Sequence, residues 1–303
     1  MSMNDVTDAM RPEVVAKVTP QALLRSKYAS TPITALTAYD YPTARLVDEA
    51  GIDLLLVGDS LGMAVLGYDN TLHVTLEDML HHGRAVRRGT RRAMVVVDMP
   101  YGSYQVSVEE TVRNALRLIK EAGCEAVKLE GGASQASRIK ALTDAEIPVV
   151  AHIGLTPQSV HRMGGYRVQG TSEEAATRLH KDALALQQAG AIAIVLEAIP
   201  RELSKQITAA LTIPTIGIGA GPDCDGQILV FHDLCSLSFG KRPKFVRSFV
   251  DARSILEDGI HQFRSAVLER TFPRDSESYH MPGVITATSE PAVGNDKDVA
   301  VCA

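Results

Sequence analysis

The sequence predicts an α/β fold, a (β/α)8 TIM barrel, and three observations support that prediction. From Ile33 onward, short apolar runs with β propensity alternate with longer amphipathic segments. Eight such runs occur, and no second cofactor-domain pattern accompanies them. Several helical patterns end in Ala-Gly and lead within a few residues to the next apolar run. That order is typical of βα units in a parallel sheet.

The elements follow one another in a regular order along the chain. The predicted strands are residues 33–40, 54–58, 94–98, 126–130, 149–153, 192–197, 215–219 and 228–231. Helical periodicity is clearest over residues 75–88, 108–122 and 173–189, and the Ala-Gly endings fall at Gly51, Gly123 and Gly190. An open doubly wound sheet would need a Gly-rich turn after the first strand, and residues 38–42 contain none. Eight strands therefore favour the closed barrel.

The chain is long enough for one large barrel domain, which we place at residues 21–273. Residues 1–20 are mostly polar and contain two prolines, so we expect an arm or a short helix there. Residues 250–272 predict a terminal helical region. Residues 274–303 are rich in Ser, Glu, Pro and Asp, a composition that predicts a disordered tail.

Composition and charge exclude several function classes. A formal net charge of −5 argues against a nucleic-acid or anionic-membrane partner, and the Arg-rich residues 84–92 fit the end of a helix. The four cysteines form no CxxC pair and no zinc spacing, which predicts reduced thiols. No signal peptide, transit peptide or membrane-spanning apolar run is evident, so we expect a cytoplasmic location.

Several of the apolar runs end in a carboxylate or a histidine. The residues concerned are Asp59, Asp98, Glu130, His152 and Glu197. In a parallel barrel the C-terminal strand ends meet at one mouth, where active sites lie. We therefore expect these groups, although far apart in sequence, to converge in one acidic pocket.

Asp59 and Asp98 each follow an apolar strand, where a bare carboxylate is costly unless it is paired or bound to a metal. Their oxygens suit a hard divalent ion, Mg²⁺ first, with Glu130 as a third ligand, directly or through water. The alternative is that each Asp caps the following helix, a common role for Asp. The three acids together favour the metal site.

Lys128 shares a strand face with Glu130, two residues away. It is a candidate for binding a substrate carboxylate or stabilising an enolate. An ion pair with Glu130 is the alternative, and a Schiff-base role is less favoured. We expect His152 to orient the substrate, with a weaker option as general acid, and Glu197 to act as general base. Helix capping by Glu197 is disfavoured by Pro200.

Two glycine-containing segments are further candidates. Residues 217–221 carry a GxGxG pattern that fits a phosphate loop only weakly, because such glycines also allow close backbone packing. Residues 163–170 predict a mobile loop near the mouth, as a lid or a contact to a second substrate.

Several strings in the chain resemble the ketopantoate hydroxymethyltransferase family of pantothenate biosynthesis. They are TALTAYDY at 34–41, VGDSLGM at 57–63, DMP at 98–100, VKLEGG at 127–132, HIGLTPQS at 152–159, GGYRVQG at 164–170, IGIGAGPDCDGQILVFH at 216–232 and PKFV at 243–246. The resemblance runs from about Ser26 to Phe272. The tail after Arg274 is not covered, and Cys235-Ser236 departs from the family pattern.

The resemblance implies a barrel that transfers a hydroxymethyl group from 5,10-methylenetetrahydrofolate, the co-substrate, to 3-methyl-2-oxobutanoate, giving 2-dehydropantoate. It implies that Asp59, Asp98 and Glu130 bind Mg²⁺. It also implies that Asp59, Ser60, Asp98 and Lys128 contact the oxo acid and that Glu197 accepts the proton. Family members form homo-oligomers, often decamers.

Two alternatives remain at this point. One is a Mg²⁺-dependent oxo-acid C–C lyase of the phosphoenolpyruvate-mutase and isocitrate-lyase type, although the loop cysteine typical of such lyases has no counterpart here. The other is a metal-binding or scaffold barrel without catalysis, which should have lost Glu197 or one of the aspartates. All three acids are present.

Overall fold

The computed structural model describes residues 16–240 and 242–282 and contains a closed barrel of eight parallel strands. Each strand pairs with the next along the chain, and the first pairs with the last. The strands are β1 (Ile33–Thr37), β2 (Leu54–Val57), β3 (Met94–Asp98), β4 (Ala126–Glu130), β5 (Val149–Gly154), β6 (Ala193–Glu197), β7 (Thr215–Ile218) and β8 (Gly226–Leu229). The predicted fold class is confirmed.

Helices connect the strands in the order that the sequence predicts. They are α1 (Pro20–Tyr28), α2 (Tyr41–Glu49), α3 (Leu61–Ala64), α4 (Leu76–Gly89), α5 (Val108–Arg117), α6 (Ala136–Asp144), α7 (Val160–Met163), α8 (Glu173–Gln188), α9 (Arg201–Ala210), α10 (Phe231–Leu234) and α11 (Ala252–Leu268). A π-helical turn, Leu118–Ala122, continues α5. Short 3-10 turns lie at Thr71–His73, Ala133–Gln135, Pro157–Ser159 and Asp275–Glu277.

The predicted Ala-Gly endings stop three helical segments. Gly51, Gly123 and Gly190 have φ values of 84°, 74° and 101°, in the left-handed region that glycine adopts without a Cβ penalty. Each turns the chain directly into the next strand. The strands that follow these endings are β2, β4 and β6.

The core has two layers. The barrel interior is filled by side chains of alternate strand positions, among them Leu54, Met94 and Val96. The other face of the strands packs against the helices through residues such as Leu55 and Val95. Because parallel barrel strands are buried on both faces, they read as continuous apolar runs in the sequence.

Two strands, β1 and β8, differ from the prediction by two residues or more, and four others differ by one residue at one end. β1 ends at Thr37 because Asp40 caps α2, its side chain accepting a hydrogen bond from the Thr43 N–H. β8 begins and ends two residues earlier than predicted, since α10 starts at Phe231. The Phe231 N–H donates to the Thr37 hydroxyl instead of to a strand partner.

The described part of the chain divides into two compact units, one up to residue 252 and one from residue 253 onward. This second unit holds most of α11, in agreement with the helical region predicted at 250–272. The predicted arm at 1–20 and the predicted disordered tail at 274–303 lie largely outside the described residues. None of the described helices is both long enough and apolar enough to cross a membrane.

Candidate active site at the carboxyl ends of the strands

Asp59 and Asp98 lie side by side at the ends of β2 and β3. The carboxylate Oδ2 of Asp98 accepts a hydrogen bond of 3.0 Å from the backbone N–H of Asp59. Both side chains are buried. A Cβ on Gly58 would lie 2.8 Å from Ser60 Oγ, so the glycine leaves room for that hydroxyl beside the two acids. Neither of these two acids caps a helix.

Lys128 points into the same cluster from β4. Its Nζ lies 3.0 Å from Asp98 Oδ1, an ion pair with both side chains buried. Oδ1 is nevertheless a buried oxygen without a well-directed hydrogen bond. Burial lowers the pKa of Lys128, but the carboxylates of Asp98, Glu130 and Asp59 outweigh it, so the net pKa is raised. Lys128 therefore stays a cation, and in the described residues its ion-pair partner is Asp98, not the Glu130 of the alternative interpretation.

His152 lies between two carboxylates. Its Nδ1 is 3.3 Å from Glu130 Oε1, and its Nε2 is 3.2 Å from Glu197 Oε2. Burial and the nearby Lys128 cation lower the pKa of His152, but the bonds to Glu130 and Glu197 outweigh them and raise it to about 9. The imidazole is therefore protonated at neutral pH and links the two acids.

Electrostatic repulsion acts among the buried acids. Burial raises the pKa of Asp59 well above its usual range, and the charges of Asp98 and Glu130 raise it further. Burial also raises the pKa of Asp98, although the Lys128 cation opposes this. For Glu130 burial acts the same way, yet His152 and Lys128 hold its pKa below the usual value. A cation near Asp59 and Asp98 would relieve the repulsion.

The donor set fits an open Mg²⁺ site. Within the described residues no three His, Cys, Asp or Glu side chains form a ready metal-ligand group. Mg²⁺, however, is commonly held by one or two carboxylates, with water and substrate oxygens completing its shell. Asp59 and Asp98 could supply those carboxylates. Glu130 suits a contact through water, because its Oε1 faces His152 and its Oε2 accepts the Gln158 N–H at 3.0 Å.

Three neutral polar residues, Gln158, Tyr104 and Tyr39, complete the cluster and were not predicted from the sequence. The Gln158 amide donates to Asp59 Oδ2 at 2.8 Å, and its Oε1 accepts from the Tyr104 hydroxyl at 2.5 Å. The Tyr39 hydroxyl lies 2.9 Å from Ser60 Oγ. Gln158 belongs to the motif at residues 152–159, but no feature of the sequence indicates that this uncharged amide bonds to Asp59.

The two glycine-containing segments have different surroundings. Gly219 and Gly221 have positive φ and pack closely against Phe245 and Arg201, which agrees with the packing alternative for residues 217–221. The loop at 163–170 lies at the mouth. Met163, Gln169 and Gly170 of this loop line one cavity together with Glu130. Burial and then the charges of Asp59, Glu197 and Glu130 raise the pKa of Tyr166 in the same loop.

Comparison with known sequences gives a consistent result. The ketopantoate hydroxymethyltransferase family matches residues 17–275. The 3-methyl-2-oxobutanoate hydroxymethyltransferase of Koribacter versatilis is 58% identical over 275 residues, covering 91% of this chain and 93% of the relative. The protein of that name from Geobacter sulfurreducens is 55% identical over 255 residues, covering 84% and 96%.

Solved structures with similar folds are more distant in sequence. Phosphonopyruvate hydrolase in complex with oxalate and Mg²⁺ has a TM-score of 0.56 at 14% identity, covering 85% of this chain and 92% of that one. 2,3-Dimethylmalate lyase, of the PEP mutase/isocitrate lyase superfamily, has a TM-score of 0.51 at 19% identity, covering 89% and 91%. At such identities the likeness shows the barrel fold alone.

Proposed function

Because the chain belongs to the ketopantoate hydroxymethyltransferase family, we propose that it transfers a hydroxymethyl group from 5,10-methylenetetrahydrofolate to 3-methyl-2-oxobutanoate. The products are 2-dehydropantoate and tetrahydrofolate, with one water consumed. The observation that carries the proposal is the buried pair of Asp59 and Asp98, with Lys128 against it and Glu197 across the mouth.

Asp59 and Asp98 would hold the Mg²⁺ ion, with Glu130 acting through water. Bound Mg²⁺ supplies Lewis acidity, polarising the 2-oxo and carboxylate oxygens of the oxo acid and so acidifying its C3–H bond. The repulsion that raises the pKa of Asp59 supports this assignment, because a divalent cation offsets it.

Lys128 and Ser60 would bind the oxo acid. The buried Lys128 cation offers a fixed positive charge where negative charge develops on the substrate, which is most effective away from water. Ser60 would donate a hydrogen bond to the oxo acid. The Tyr39 hydroxyl lies 2.9 Å from Ser60 Oγ and would orient the serine hydroxyl. His152 would have an orienting role in the site, through its contacts with Glu130 and Glu197.

Glu197 would act as the general base. Its Oε2 is held near the protonated His152, and its side chain is 16% exposed, more than the other acids of the cluster. It takes the C3 proton, and the electron pair of the broken C–H bond forms the enolate. Water adds to the one-carbon unit as its two C–N bonds to the folate break, which releases tetrahydrofolate. C3 bonds to that carbon, and the oxygen derived from water takes up the proton held by Glu197 and becomes the hydroxyl group.

The family resemblance also supports a homo-oligomer, often a decamer, in the cytoplasm. Light scattering on the purified full chain tests the assembly. A decamer gives a mass ten times that of the 32.6 kDa chain, and a monomeric mass would contradict it.

A reconstitution assay tests the function. The protein is incubated with Mg²⁺, 3-methyl-2-oxobutanoate and 5,10-methylenetetrahydrofolate, and 2-dehydropantoate is measured by mass spectrometry. We expect product only when all three are present, and its loss with EDTA. Cleavage of 2,3-dimethylmalate without folate, and no 2-dehydropantoate, would support the lyase alternative instead.

A further inference from the structure

A recess of about 700 Å³ opens beside the acidic cluster, between the loops after β4 and β5 and the first half of α8. We call it the α8 recess. Glu130 and Gln158 belong to the acidic cluster and also line the recess. One end of the recess therefore reaches the proposed oxo-acid site. Its volume is within the range of small-molecule sites, roughly 300–1,000 Å³. The proposed reaction at the cluster leaves the rest of the recess without a role.

The wall of the α8 recess that faces the loop after β4 carries the carboxylate of Asp182. Its Oδ1 accepts a hydrogen bond of 2.8 Å from the Ala133 N–H, which fixes the side chain. A Cβ on Gly132 would collide with this carboxylate, so the glycine is what allows the approach. Among the described residues Oδ2 of Asp182 has no hydrogen-bond donor. A fixed carboxylate with a free oxygen suits a ligand edge that presents N–H donors.

The rim of the recess is cationic. Arg178 lies one helical turn before Asp182 on α8, and Arg162 lies on α7. Both side chains are exposed, and in the described part of the chain neither forms an ion pair. Tyr101, 50% exposed, adds an aromatic face to the lining. Guanidinium groups at an open rim suit ligand carboxylates.

We propose that the α8 recess binds the folate co-substrate, an inference that rests on the proposed function. The pterin edge carries adjacent N–H donors, which Asp182 accepts. The glutamate end carries carboxylates, which Arg178 and Arg162 bind at the rim.

This orientation follows from charge and from the reaction. The reverse orientation would place the glutamate carboxylates against Asp182 and leave the pterin donors facing cations. The reactive carbon is attached to the pterin, so the pterin must lie toward the oxo acid. Asp182 contacts Gly132 and Ala133, two and three residues after Glu130, so a pterin held by Asp182 lies beside the strand end that carries Glu130.

Two variants with two ligands test the proposal by titration of the full-length protein. Asp182→Asn keeps Oδ1 for the Ala133 N–H but replaces the free oxygen by a donor. We expect it to weaken both tetrahydrofolate and 6-methyltetrahydropterin, which lacks the glutamate arm, by at least ~10-fold. Arg178→Ala should weaken tetrahydrofolate ~10-fold and leave tetrahydropterin binding unchanged.

The controls are Asp144→Asn and Arg113→Ala, which change exposed helical side chains outside the recess. They should bind both ligands as the wild type does. Equal affinity of Asp182→Asn and Asp144→Asn for tetrahydropterin would overturn the proposal. So would equal loss of both ligands in Arg178→Ala, because that pattern indicates a general structural change.

Failure of the proposed function gives a different result. Deuterium exchange at C3 of 3-methyl-2-oxobutanoate requires the oxo-acid half of the site and no folate. A wild-type protein that binds tetrahydrofolate through Asp182 but exchanges no C3 proton would refute the proposed chemistry and support the recess. Exchange without any effect of Asp182→Asn on folate affinity would refute the recess alone.

Discussion

Replacement of Glu197 by glutamine separates proton removal from substrate binding. The side chain keeps its size and a polar atom beside His152 Nε2, which lies 3.2 Å from Glu197 Oε2. A neutral amide, however, cannot take up the C3 proton. Asp59, Asp98 and Lys128 form their own hydrogen bond and ion pair, so binding of Mg²⁺ and the oxo acid should change little.

The size of the effect follows from the surroundings of the base. A positioned general base contributes about 10²–10⁴-fold to the rate. The Glu197 side chain is 16% exposed, so water reaches the site and can accept the proton weakly in its place. We therefore expect a loss toward the lower half of that range, ~10²–10³-fold, in the rate of C3 exchange.

The assay follows loss of the C3–H proton NMR signal of 3-methyl-2-oxobutanoate in D₂O with Mg²⁺ and without folate. Glu202→Gln, an exposed carboxylate in the first turn of α9, is the matched control and should exchange at the wild-type rate. The side-chain contact with Glu197 contributes to the raised pKa of His152, so the comparison is made near pH 7, where the contact with Glu130 and its charge still favour the imidazolium. Exchange by Glu197→Gln within about threefold of wild type would remove Glu197 as the base.

Three further predictions concern the metal and the barrel. Asp59→Asn should weaken Mg²⁺ binding at least ~10-fold by calorimetry, and the exposed Asp69→Asn should not; equal affinities would refute Asp59 as a ligand. Asp48→Ala leaves three backbone N–H groups before β3 without their acceptor. It should lower the free energy of unfolding, measured by urea denaturation, by ~3 kcal/mol, and a loss below ~1 kcal/mol would contradict this prediction. Burial raises the pKa of Asp53, but its bonds to Thr34 and to an arginine lower it on balance. The loss in free energy of unfolding caused by Asp53→Asn should therefore be constant from pH 7 to 5 and become smaller only below about pH 4. A loss that does not change with pH would refute this prediction.

The fold was predictable because its signal is local. Strands buried on both faces are continuous apolar runs, and Ala-Gly endings mark where helices give way to them. The strand ends were less predictable when a distant contact decided them. β8 ends early because the Phe231 N–H bonds to Thr37, a residue 194 positions away that the local pattern does not reveal.

The members of the candidate site were predictable, and their partners were not. Charged residues that follow apolar runs stand out in a sequence, whereas Gln158 and Tyr39 carry no such signal. Lys128 shares a face with Glu130, but two residues along a strand are separated by ~6.6 Å, compared with ~4.8 Å between neighbouring strands. The register that pairs Asp98 with Lys128 therefore decides the ion pair, and register is a property of two strands together.

The same reasoning explains why the site favours a divalent ion. Register places His152 beside Glu130, and β6 carries Glu197 to the other side of the imidazole. The cluster then holds four carboxylates and two cations, and these are Asp59, Asp98, Glu130, Glu197, Lys128 and His152. The two cations are engaged with Asp98, Glu130 and Glu197, so the excess negative charge falls on Asp59. Burial raises the pKa of Asp59, and the charges of Asp98 and Glu130 raise it further. An ion of charge +2 beside Asp59 and Asp98 balances the cluster, and it does so without displacing Lys128, His152 or the base.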